Sequence, residues 1–418
     1  MLSVLRKVFD RIVRDGDLTV IDCAGVSHRF GSGTGTPVTM RLTDRAIEWR
    51  LATNPHLHLG EGYMDGRIRF DEGRVYDFLD TVLSNAVRFR PPRWLNVATG
   101  LRYATRWLRQ FNPMGRAKRN VAHHYDLDGR LYDLFLNDDR QYSCAYFRRP
   151  DATLEEAQTA KMRHLAAKLA LADGQKVLDI GSGWGGLALY LANCADIAVT
   201  GITLSEEQLR LSQDRKRRLG LDARVEFRLQ DYRAIDEKFD RIVSVGMFEH
   251  VGVVHYTTYF RRIRDLLTDD GVAVIHSIGR SEGPGTTNAW IDKYIFPGGY
   301  IPALSEVVPA IERCGLFITD VEILRLHYAE TLRHWRRRFL ANWDEAAKIY
   351  DERFCRMWEF YLSASETAFR HEGMMVFQIQ LTKSQNVLPL TRDYIQDWER
   401  GRMAFDADGS AARRLAGE

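Results

Sequence analysis

The spacing of hydrophobic and polar residues along the chain predicts different elements in different segments. Near the N-terminus, apolar positions between residues 5 and 13 recur at helical spacing. Short alternating runs, separated by glycine-rich turns, follow between residues 18 and 70, and a further helix is predicted near residues 75–83. This pattern predicts a small N-terminal α+β domain over residues 1–85.

Helices and strands alternate regularly in residues 122–385. The first helix of this segment opens with a capping box formed by Thr153 and Glu156. The elements predicted after it are strand 176–180, helix 185–193, strand 197–202, helix 205–218, strand 224–229, strand 239–245, helix 256–267 and strand 271–277. This alternation predicts an α/β fold with a doubly wound, mostly parallel sheet. Helices are also predicted at roughly 304–314 and 331–370. The C-terminal tail over residues 386–418 has few apolar residues and is predicted to be partly disordered.

A basic connector is predicted over residues 86–121, between these two domains. From Asp80 to Asp126 the chain has no acidic residue, whereas it has nine basic ones, interleaved with aromatic and aliphatic side chains such as Trp94 and Trp107. A helix of this composition suits an anionic membrane surface. The alternative is a basic helix that packs on the next domain with its charges solvated.

Composition and charge narrow the class of protein. The chain has 418 residues, of which 45% are hydrophobic and 28% charged, as is typical of a globular protein of two or three domains. Its net charge of +3 does not indicate nucleic-acid binding. The five cysteines are scattered and form neither a disulfide framework nor a metal-binding pattern, so no metal site is expected. We find no signal peptide and no apolar run of membrane-spanning length, and we expect a cytoplasmic protein.

A glycine-rich turn joins the strand at 176–180 to its helix. Gly181, Gly183 and Gly186 match G-x-G-x-x-G, a weak signal that leaves a nicotinamide dinucleotide site to be considered. Asp179, two residues before the first glycine, can instead orient a cationic amino group, and the strand at 197–202 lacks the acid that usually binds an NAD ribose. The helix N-terminus can face a carboxylate. S-adenosylmethionine therefore fits this turn better than NAD.

Further motifs give the chain a resemblance to a known family. They are His123-His-Tyr-Asp126, Gln141-Tyr-Ser-Cys-Ala-Tyr146, the loop 179–186, Gly201-Ile-Thr-Leu-Ser205, Gln230-Asp-Tyr232, residues 240–250, Ile275-His-Ser-Ile278, Ile295-Phe-Pro-Gly-Gly299 and His327-Tyr328. On these motifs the chain resembles the cyclopropane-fatty-acid synthase family, which includes the mycolic acid cyclopropane synthases. Gly60-Glu-Gly-Tyr-Met-Asp-Gly66 extends the resemblance towards the longer bacterial synthases that act on membrane phospholipids. Ser182 departs from the cysteine of many relatives, and we expect little consequence.

The resemblance implies a class I methyltransferase fold, Rossmann-like, for residues 122–385. It also implies that the methyl group of S-adenosylmethionine is transferred to a cis double bond of an unsaturated phospholipid chain, after which a proton is removed and a cyclopropane ring closes. The alternative is a related lipid methyltransferase that gives a methyl- or methylene-branched chain without ring closure. More distant rivals are an NAD-dependent dehydrogenase and a lipid-surface binding protein with a vestigial cofactor site.

By the same resemblance, the base is a bicarbonate ion bound at the active site. The positions that match its ligands are Cys144, Glu249, His276, Ile278 through its backbone, and Tyr328. A thiol, an imidazole, a phenol and an N–H can each donate to an anion. The structural alternatives are a small buried residue for Cys144, a core residue for His276 and a helix cap for Glu249. The expected location of Glu249 and His276 at the ends of neighbouring strands favours the functional interpretation.

A cofactor site follows from the resemblance together with the position of Asp179. S-adenosylmethionine is expected to contact Tyr142, Ser143, Asp179, Gly181, Gly183, Thr203, Leu204, Gln208, Gln230, Asp231, Tyr232 and Val245. Thr203 and Gln208 would bind the ribose. Asp231 would accept a hydrogen bond from the adenine amino group, and Tyr232 would cover the ring.

Other residues are expected to serve the lipid and the membrane. Tyr125, Tyr142 and Tyr146 are candidates for aromatic faces near a carbocation, with ordinary core packing as the alternative, above all for Tyr146. The helices at 304–314 and 331–370 would wall an acyl tunnel. Peripheral contact with the inner face of the membrane and a homodimer are expected by analogy, with no nucleic-acid partner.

Overall fold

The computed structural model describes residues 1–89 and 127–407. These residues form two compact units, each assembled from three stretches of the chain. The first comprises residues 1–89, 285–297 and 329–374, and the second comprises residues 127–284, 298–328 and 375–407. Most of the predicted connector, Tyr125 and the last part of the predicted tail lie outside the described residues. No helix within the described ranges is long and apolar enough to cross a membrane.

The elements of residues 1–89 have the mixed character that the sequence pattern predicts. They are α1 (Ser3–Ile12), β1 (Asp17–Ile21), β2 (Ser27–Phe30), β3 (Pro37–Leu42), α2 (Arg45–Thr53), α3 (Pro55–Met64), β4 (Ile68–Glu72) and α4 (Val75–Arg88). The strands form one sheet in the order β2-β1-β3-β4. Leu18, Val20 and Met40 are fully buried in its core.

The elements after residue 127 include every helix and strand predicted between residues 153 and 277, with ends shifted by a few residues. In chain order they are α5 (Gly129–Asp133), α6 (Leu154–Leu169), β5 (Lys176–Ile180), α7 (Gly186–Cys194), β6 (Ala198–Thr203), α8 (Glu206–Arg218), β7 (Val225–Leu229), β8 (Phe239–Val245), α9 (Tyr256–Leu266), β9 (Leu267–Arg280), α10 (Ala289–Tyr294), α11 (Leu304–Glu312), β10 (Phe317–Leu324), α12 (His327–Ala341), α13 (Trp343–Ile349), α14 (Glu352–His371), β11 (Met374–Thr382) and α15 (Asp393–Ala407). The capping box is present: Thr153 Oγ1 accepts from the Glu156 N–H (3.2 Å), and Glu156 accepts from the Thr153 N–H (2.8 Å).

The second unit contains a seven-stranded sheet in the order β10-β11-β9-β8-β5-β6-β7. The strands from β9 to β7 pair in parallel, and β10 is antiparallel to β11. Val177, Leu178 and Ile242 are fully buried, because helices cover both faces of a parallel sheet. The predicted α/β class and the mostly parallel, doubly wound sheet are thereby confirmed. The carboxyl ends of β5, β8 and β9 meet at one edge, where open α/β sheets bind their ligands.

Residues from distant parts of the chain complete the first unit. A Cβ atom on Gly60 of α3 would lie 2.5 Å from Nε1 of Trp290, so only glycine allows this approach. Tyr63 donates a hydrogen bond to Glu359 (2.6 Å), and Trp290 Nε1 donates to the sulfur of Met64 (3.2 Å). These partners are 296 and 226 residues apart in the chain. The hydrophobic pattern depends on neighbouring residues, so it predicted domains that are each one continuous segment. It did not indicate that residues 285–297 and 329–374 belong to the same unit as residues 1–89.

The C-terminal part of the chain differs from two predictions. The single helix predicted at roughly 331–370 is three helices, α12, α13 and α14. The tail predicted to be partly disordered contains α15, whose Glu399 accepts a hydrogen bond from His164 (2.8 Å) and whose Asp406 pairs with Arg163. Ile395 is also buried and Trp398 packs on the core of the second unit, so this short apolar pair and the polar contacts together hold the helix.

Candidate active site

The turn after β5 exposes its backbone to a cleft. Gly181 and Gly183 have φ angles of 82° and 53°, which other residues rarely adopt. A Cβ atom on Gly183 would meet no described atom within 4 Å, so a methyl group there would project into open space. Helix α7 begins directly after this turn, with Gly185 at its N-cap. The turn therefore leaves open space beside its backbone and presents a helix N-terminus to an anionic group.

Asp179 lies at the end of β5 and carries a buried carboxylate with incomplete pairing. The residue is 1% exposed, and its Oδ2 atom has no hydrogen-bond partner within the described ranges. Burial raises the pKa of Asp179 to about 7, and the positive charge of Lys161 opposes this rise. A buried oxygen without a partner is suited to a donor that arrives with a ligand. The ammonium group of S-adenosylmethionine has this chemistry, so the site fits the predicted cofactor.

All the residues predicted to bind the cofactor line one cleft at this edge of the sheet. They are Tyr142, Ser143, Asp179, Gly181, Gly183, Thr203, Leu204, Gln208, Gln230, Asp231, Tyr232 and Val245. Thr203 Oγ1 donates a hydrogen bond to Gln208 (2.7 Å), which places both proposed ribose ligands together. Asp231 already accepts two hydrogen bonds from the guanidinium of Arg233 (2.8 and 2.6 Å) and one from its backbone N–H (2.9 Å), so an adenine amino group would have to share this carboxylate. The individual cofactor contacts remain predictions.

Glu249 and Ile278 are in direct contact beside this cleft. The Ile278 N–H donates to Glu249 Oε1 (2.7 Å), so this backbone group has an acceptor within the protein. Glu249 Oε2 is buried and has no hydrogen-bond partner in the part of the chain that the structure describes. Ser277 is close by, but its hydroxyl donates to the Ile278 carbonyl oxygen (3.0 Å). Burial raises the pKa of Glu249 to about 7, and the Ile278 hydrogen bond opposes this rise.

His276 lies on β9 opposite Val245 of β8, which lines the cleft. Its Nδ1 atom is 3.1 Å from Nε2 of Gln378, a fully buried residue of β11. Burial, together with the positive charges of Lys161 and Lys168, lowers the pKa of His276 well below its ordinary value. The imidazole is therefore neutral at physiological pH.

The loop that carries Ser143 and Cys144 is held by one face of α6. Gln158 donates to the carbonyl oxygens of Gln141 (3.3 Å) and Ser143 (3.0 Å). Lys161 donates to the side chains of the same two residues, at 3.0 Å for Ser143 Oγ. Cys144, the residue after Ser143, is 1% exposed, and its thiol donates to the Ala145 carbonyl oxygen (3.3 Å). The loop therefore holds the predicted thiol next to a buried ammonium.

Tyr328 and Tyr146 occupy different environments. Tyr146 lies between two imidazole rings, with centroid distances of 4.5 Å to His164 and 5.0 Å to His327, and is nearly parallel to both. Both of its faces are covered, so the structure gives it the packing role and not an open face for a carbocation. Tyr328 follows His327 at the start of α12 and is 8% exposed. It is thereby adjacent to the segment that carries Cys144.

Comparisons with known proteins agree with this geometry. The chain matches the family model described as mycolic acid cyclopropane synthetase over residues 113–379. Cyclopropane-fatty-acyl-phospholipid synthase of Escherichia coli (strain K12) is 39% identical over 357 residues, which are 85% of this chain and 91% of that protein. The chain belongs to the mycolic acid cyclopropane synthetase family.

Two further relatives of this family are informative. Tuberculostearic acid methyltransferase UfaA1 of Mycobacterium tuberculosis is 36% identical over 362 residues, 81% of each protein. The crystal structure of mycolic acid cyclopropane synthase CmaA1 complexed with SAH and CTAB has 33% sequence identity and a TM-score of 0.60, and it covers 65% of this chain and 99% of that one. The predicted family, the class I fold and the assignment as an S-adenosylmethionine-dependent methyltransferase are confirmed.

Two residues that contact the predicted site residues were not identified from the sequence. Lys161 follows the capping box of α6 at helical spacing and looks like an ordinary surface lysine in the sequence, yet it is fully buried. Gln378 lies in the apolar run of β11, where two glutamines among hydrophobic residues, Gln378 and Gln380, were the available signal. Both act on predicted site residues, Lys161 on Ser143 and Gln378 on His276.

Proposed function

We propose that the protein transfers the methyl group of S-adenosylmethionine to a cis double bond of a phospholipid acyl chain and that the product is a cyclopropane ring. Family membership and the E. coli relative, whose name is cyclopropane-fatty-acyl-phospholipid synthase, support this proposal. The observation that carries it is Glu249, a buried carboxylate with one unpaired oxygen, beside the cleft that contains the predicted cofactor residues.

S-adenosylmethionine, when bound, supplies an electrophilic methyl group on a sulfonium centre. Asp179 would hold its ammonium group, because the buried Oδ2 atom has an unused acceptor site in the described structure. Thr203 and Gln208 would bind the ribose hydroxyls, and the N-terminus of α7 would face the carboxylate. These residues fix the direction of the methyl group, and such alignment supplies much of the acceleration in a reaction between two weakly reactive partners.

An alkene is a weak nucleophile, and its attack leaves positive charge on the acyl chain. Negative charge near the site stabilises such a centre, and Glu249 can provide it, since a nearby cation favours the ionised carboxylate. Burial of Glu249, Cys144 and His276 also keeps water away from the cationic centre, which water would otherwise attack.

We also propose that a bicarbonate ion binds between Cys144, Glu249, His276 and Tyr328. Bicarbonate, when bound, supplies the base that removes a proton from the transferred methyl group. Glu249 Oε2 would accept a hydrogen bond from the hydroxyl group of this ion, which suits an oxygen that has no donor in the described structure. The thiol, the imidazole N–H and the phenol would donate to its charged oxygens. The Ile278 N–H, which donates to Glu249, would act through that carboxylate.

Access to phospholipid is proposed to involve the basic segment between Asp80 and Asp126. Its nine basic residues and absence of acidic ones would attract an anionic surface. This would bring the protein to the inner face of the membrane as a peripheral protein. A homodimer would present two such segments to one bilayer.

The purified protein, S-adenosylmethionine and vesicles of a cis-unsaturated phospholipid test the proposal. We expect fatty-acid methyl esters that have gained one CH2 group and show the upfield proton signals of a cyclopropane ring. A gain of one CH2 with vinyl protons instead would identify a methylene-branched product. A methyl branch beside a retained double bond, formed when the proton is lost from the neighbouring chain carbon, would identify the methyl-branched alternative. Absence of any methylated chain would refute the proposal.

A further inference from the structure

Gln378 is placed where it can decide which nitrogen of His276 carries the proton. Strand β11 lies next to β9 in the sheet, and the amide Nε2 of Gln378 is 3.1 Å from His276 Nδ1. Gln378 is fully buried and His276 is 2% exposed, so water does not compete for this contact. An amide NH2 group can only donate a hydrogen bond. With the amide in this orientation, Nδ1 accepts the hydrogen bond with its lone pair.

A neutral imidazole carries one proton, so an accepting Nδ1 leaves that proton on Nε2. The environment favours the neutral ring, because burial disfavours the charged form and the positive charges of Lys161, Lys168 and His164 on α6 also oppose protonation. In this state Nε2 is a hydrogen-bond donor and has no lone pair with which to take a proton. The same ring in the opposite tautomer would be an acceptor and a possible base.

We propose that Gln378 is a positioning residue that fixes His276 as the Nε2–H tautomer, so that His276 donates to the anion at the active site and does not act as the base. The inference rests on the proposed function, since it is the bound anion that then has to remove the proton. It deepens that function by naming the residue that keeps His276 a donor. Gln378 does not line the cofactor cleft, so its effect on the reaction passes through His276.

The tautomer can be read directly from the nitrogen chemical shifts of His276 in the full-length protein labelled with 15N-histidine. A His276→Gln variant assigns the signal among the 12 histidines of the chain. Gln378→Met removes the donor and keeps the side-chain length. Gln378→Glu keeps the shape but places an acceptor opposite Nδ1, which favours a proton on that nitrogen.

The matched control is Gln380→Met on the same strand. Gln380 is 1% exposed and, two residues away, lies on the same face of β11. Its amide donates to the Lys168 carbonyl oxygen and to Tyr394 (2.7 Å). Gln380 is thus an equally buried glutamine, and none of its described hydrogen bonds is to His276. Its replacement therefore measures the loss of stability that follows from removing any buried glutamine of this strand.

We expect wild-type His276 to show an unprotonated Nδ1 and a protonated Nε2, and Gln378→Glu to show a protonated Nδ1. Both Gln378 variants should lower kcat by about 10- to 100-fold, as is usual when the residue that orients a site histidine is removed. The KM for S-adenosylmethionine should stay unchanged. Gln380→Met should lower the melting temperature and change neither the His276 signals nor kcat.

Three results would overturn the inference. The first is a wild-type His276 with its proton on Nδ1. The second is an unchanged tautomer in Gln378→Glu, and the third is an equal loss of kcat in Gln378→Met and Gln380→Met. Failure of the proposed function is distinguishable, because the nitrogen shifts are measured without lipid. A correct tautomer in a protein that makes no cyclopropane would refute the function and leave the role of Gln378 in fixing the ring intact.

Discussion

Replacement of Glu249 by glutamine should lower activity and, at the same time, remove a pH-dependent loss of stability. The substitution keeps the shape of the side chain and an oxygen that can accept from the Ile278 N–H, now 2.7 Å from Oε1. It replaces Oε2, which has no partner among the described residues, by a group that donates. It also removes the negative charge.

The expected loss of activity follows from one charged hydrogen bond. Such a bond contributes about 1.5–3 kcal/mol. About 1.4 kcal/mol corresponds to a factor of ten in rate, so kcat/KM should fall by roughly 10- to 150-fold. Added bicarbonate should not restore the rate, because the acceptor for its hydroxyl group is missing.

The same substitution should lower activity but make the protein more stable than wild type at high pH. Burial raises the pKa of Glu249 from 4.5 to about 7 in the folded protein. The folded state therefore binds the proton more tightly than the unfolded state, and this contribution to stability is present in full below pH 4.5 and is lost as the pH rises through 7. At about 1.4 kcal/mol per pH unit over this interval, the wild-type protein loses about 3 kcal/mol that Glu249→Gln does not lose.

Thermal unfolding at pH 5 and pH 8 measures this difference, with Glu282→Gln as the control at an exposed carboxylate of the same unit. Between pH 5 and pH 8, the melting temperature of Glu249→Gln should rise by several degrees relative to that of the wild-type protein. Identical pH dependence would refute the argument from burial. Unchanged turnover would show that Glu249 does not act at the reacting centre.

Further predictions concern the cofactor, the loop and the membrane. Asp179→Asn should weaken S-adenosylmethionine binding by roughly 10- to 150-fold in calorimetry, since a charged hydrogen bond is lost, and an unchanged Kd would place the ammonium group elsewhere. Lys161→Met should raise the KM for S-adenosylmethionine, because two hydrogen bonds to the loop carrying Ser143 disappear. Burial lowers the pKa of Lys161 from 10.5 to about 8, so wild-type stability should rise between these pH values and the variant's should not. Salt shortens the Debye length from about 30 Å at 0.01 M to about 8 Å at 0.15 M, so activity on anionic vesicles should fall more than activity on detergent-dispersed lipid. Equal decreases would argue against electrostatic attraction to the membrane.

Much of the second unit could be predicted from local sequence. Its central strands are buried on both faces, so each is a short apolar run between helices, and the alternation alone indicated the parallel sheet. The turn at Gly181 and Gly183 was recognisable because its backbone requires glycine. Glu249 follows the end of β8, as predicted, whereas His276 lies inside β9, which continues to Arg280. The roles of these residues remain predictions.

The sequence by itself determined the fold class, the family and the edge of the sheet that carries the site, because these depend on period and on short motifs. Only the tertiary structure decided the partners of the site residues. Gln378 meets His276 across 102 residues of chain, and Tyr146 is enclosed by two histidines that lie on separate helices. Such contacts depend on how strands and helices pack against each other. A buried polar side chain finds its partner in space, so its position along the chain does not reveal it.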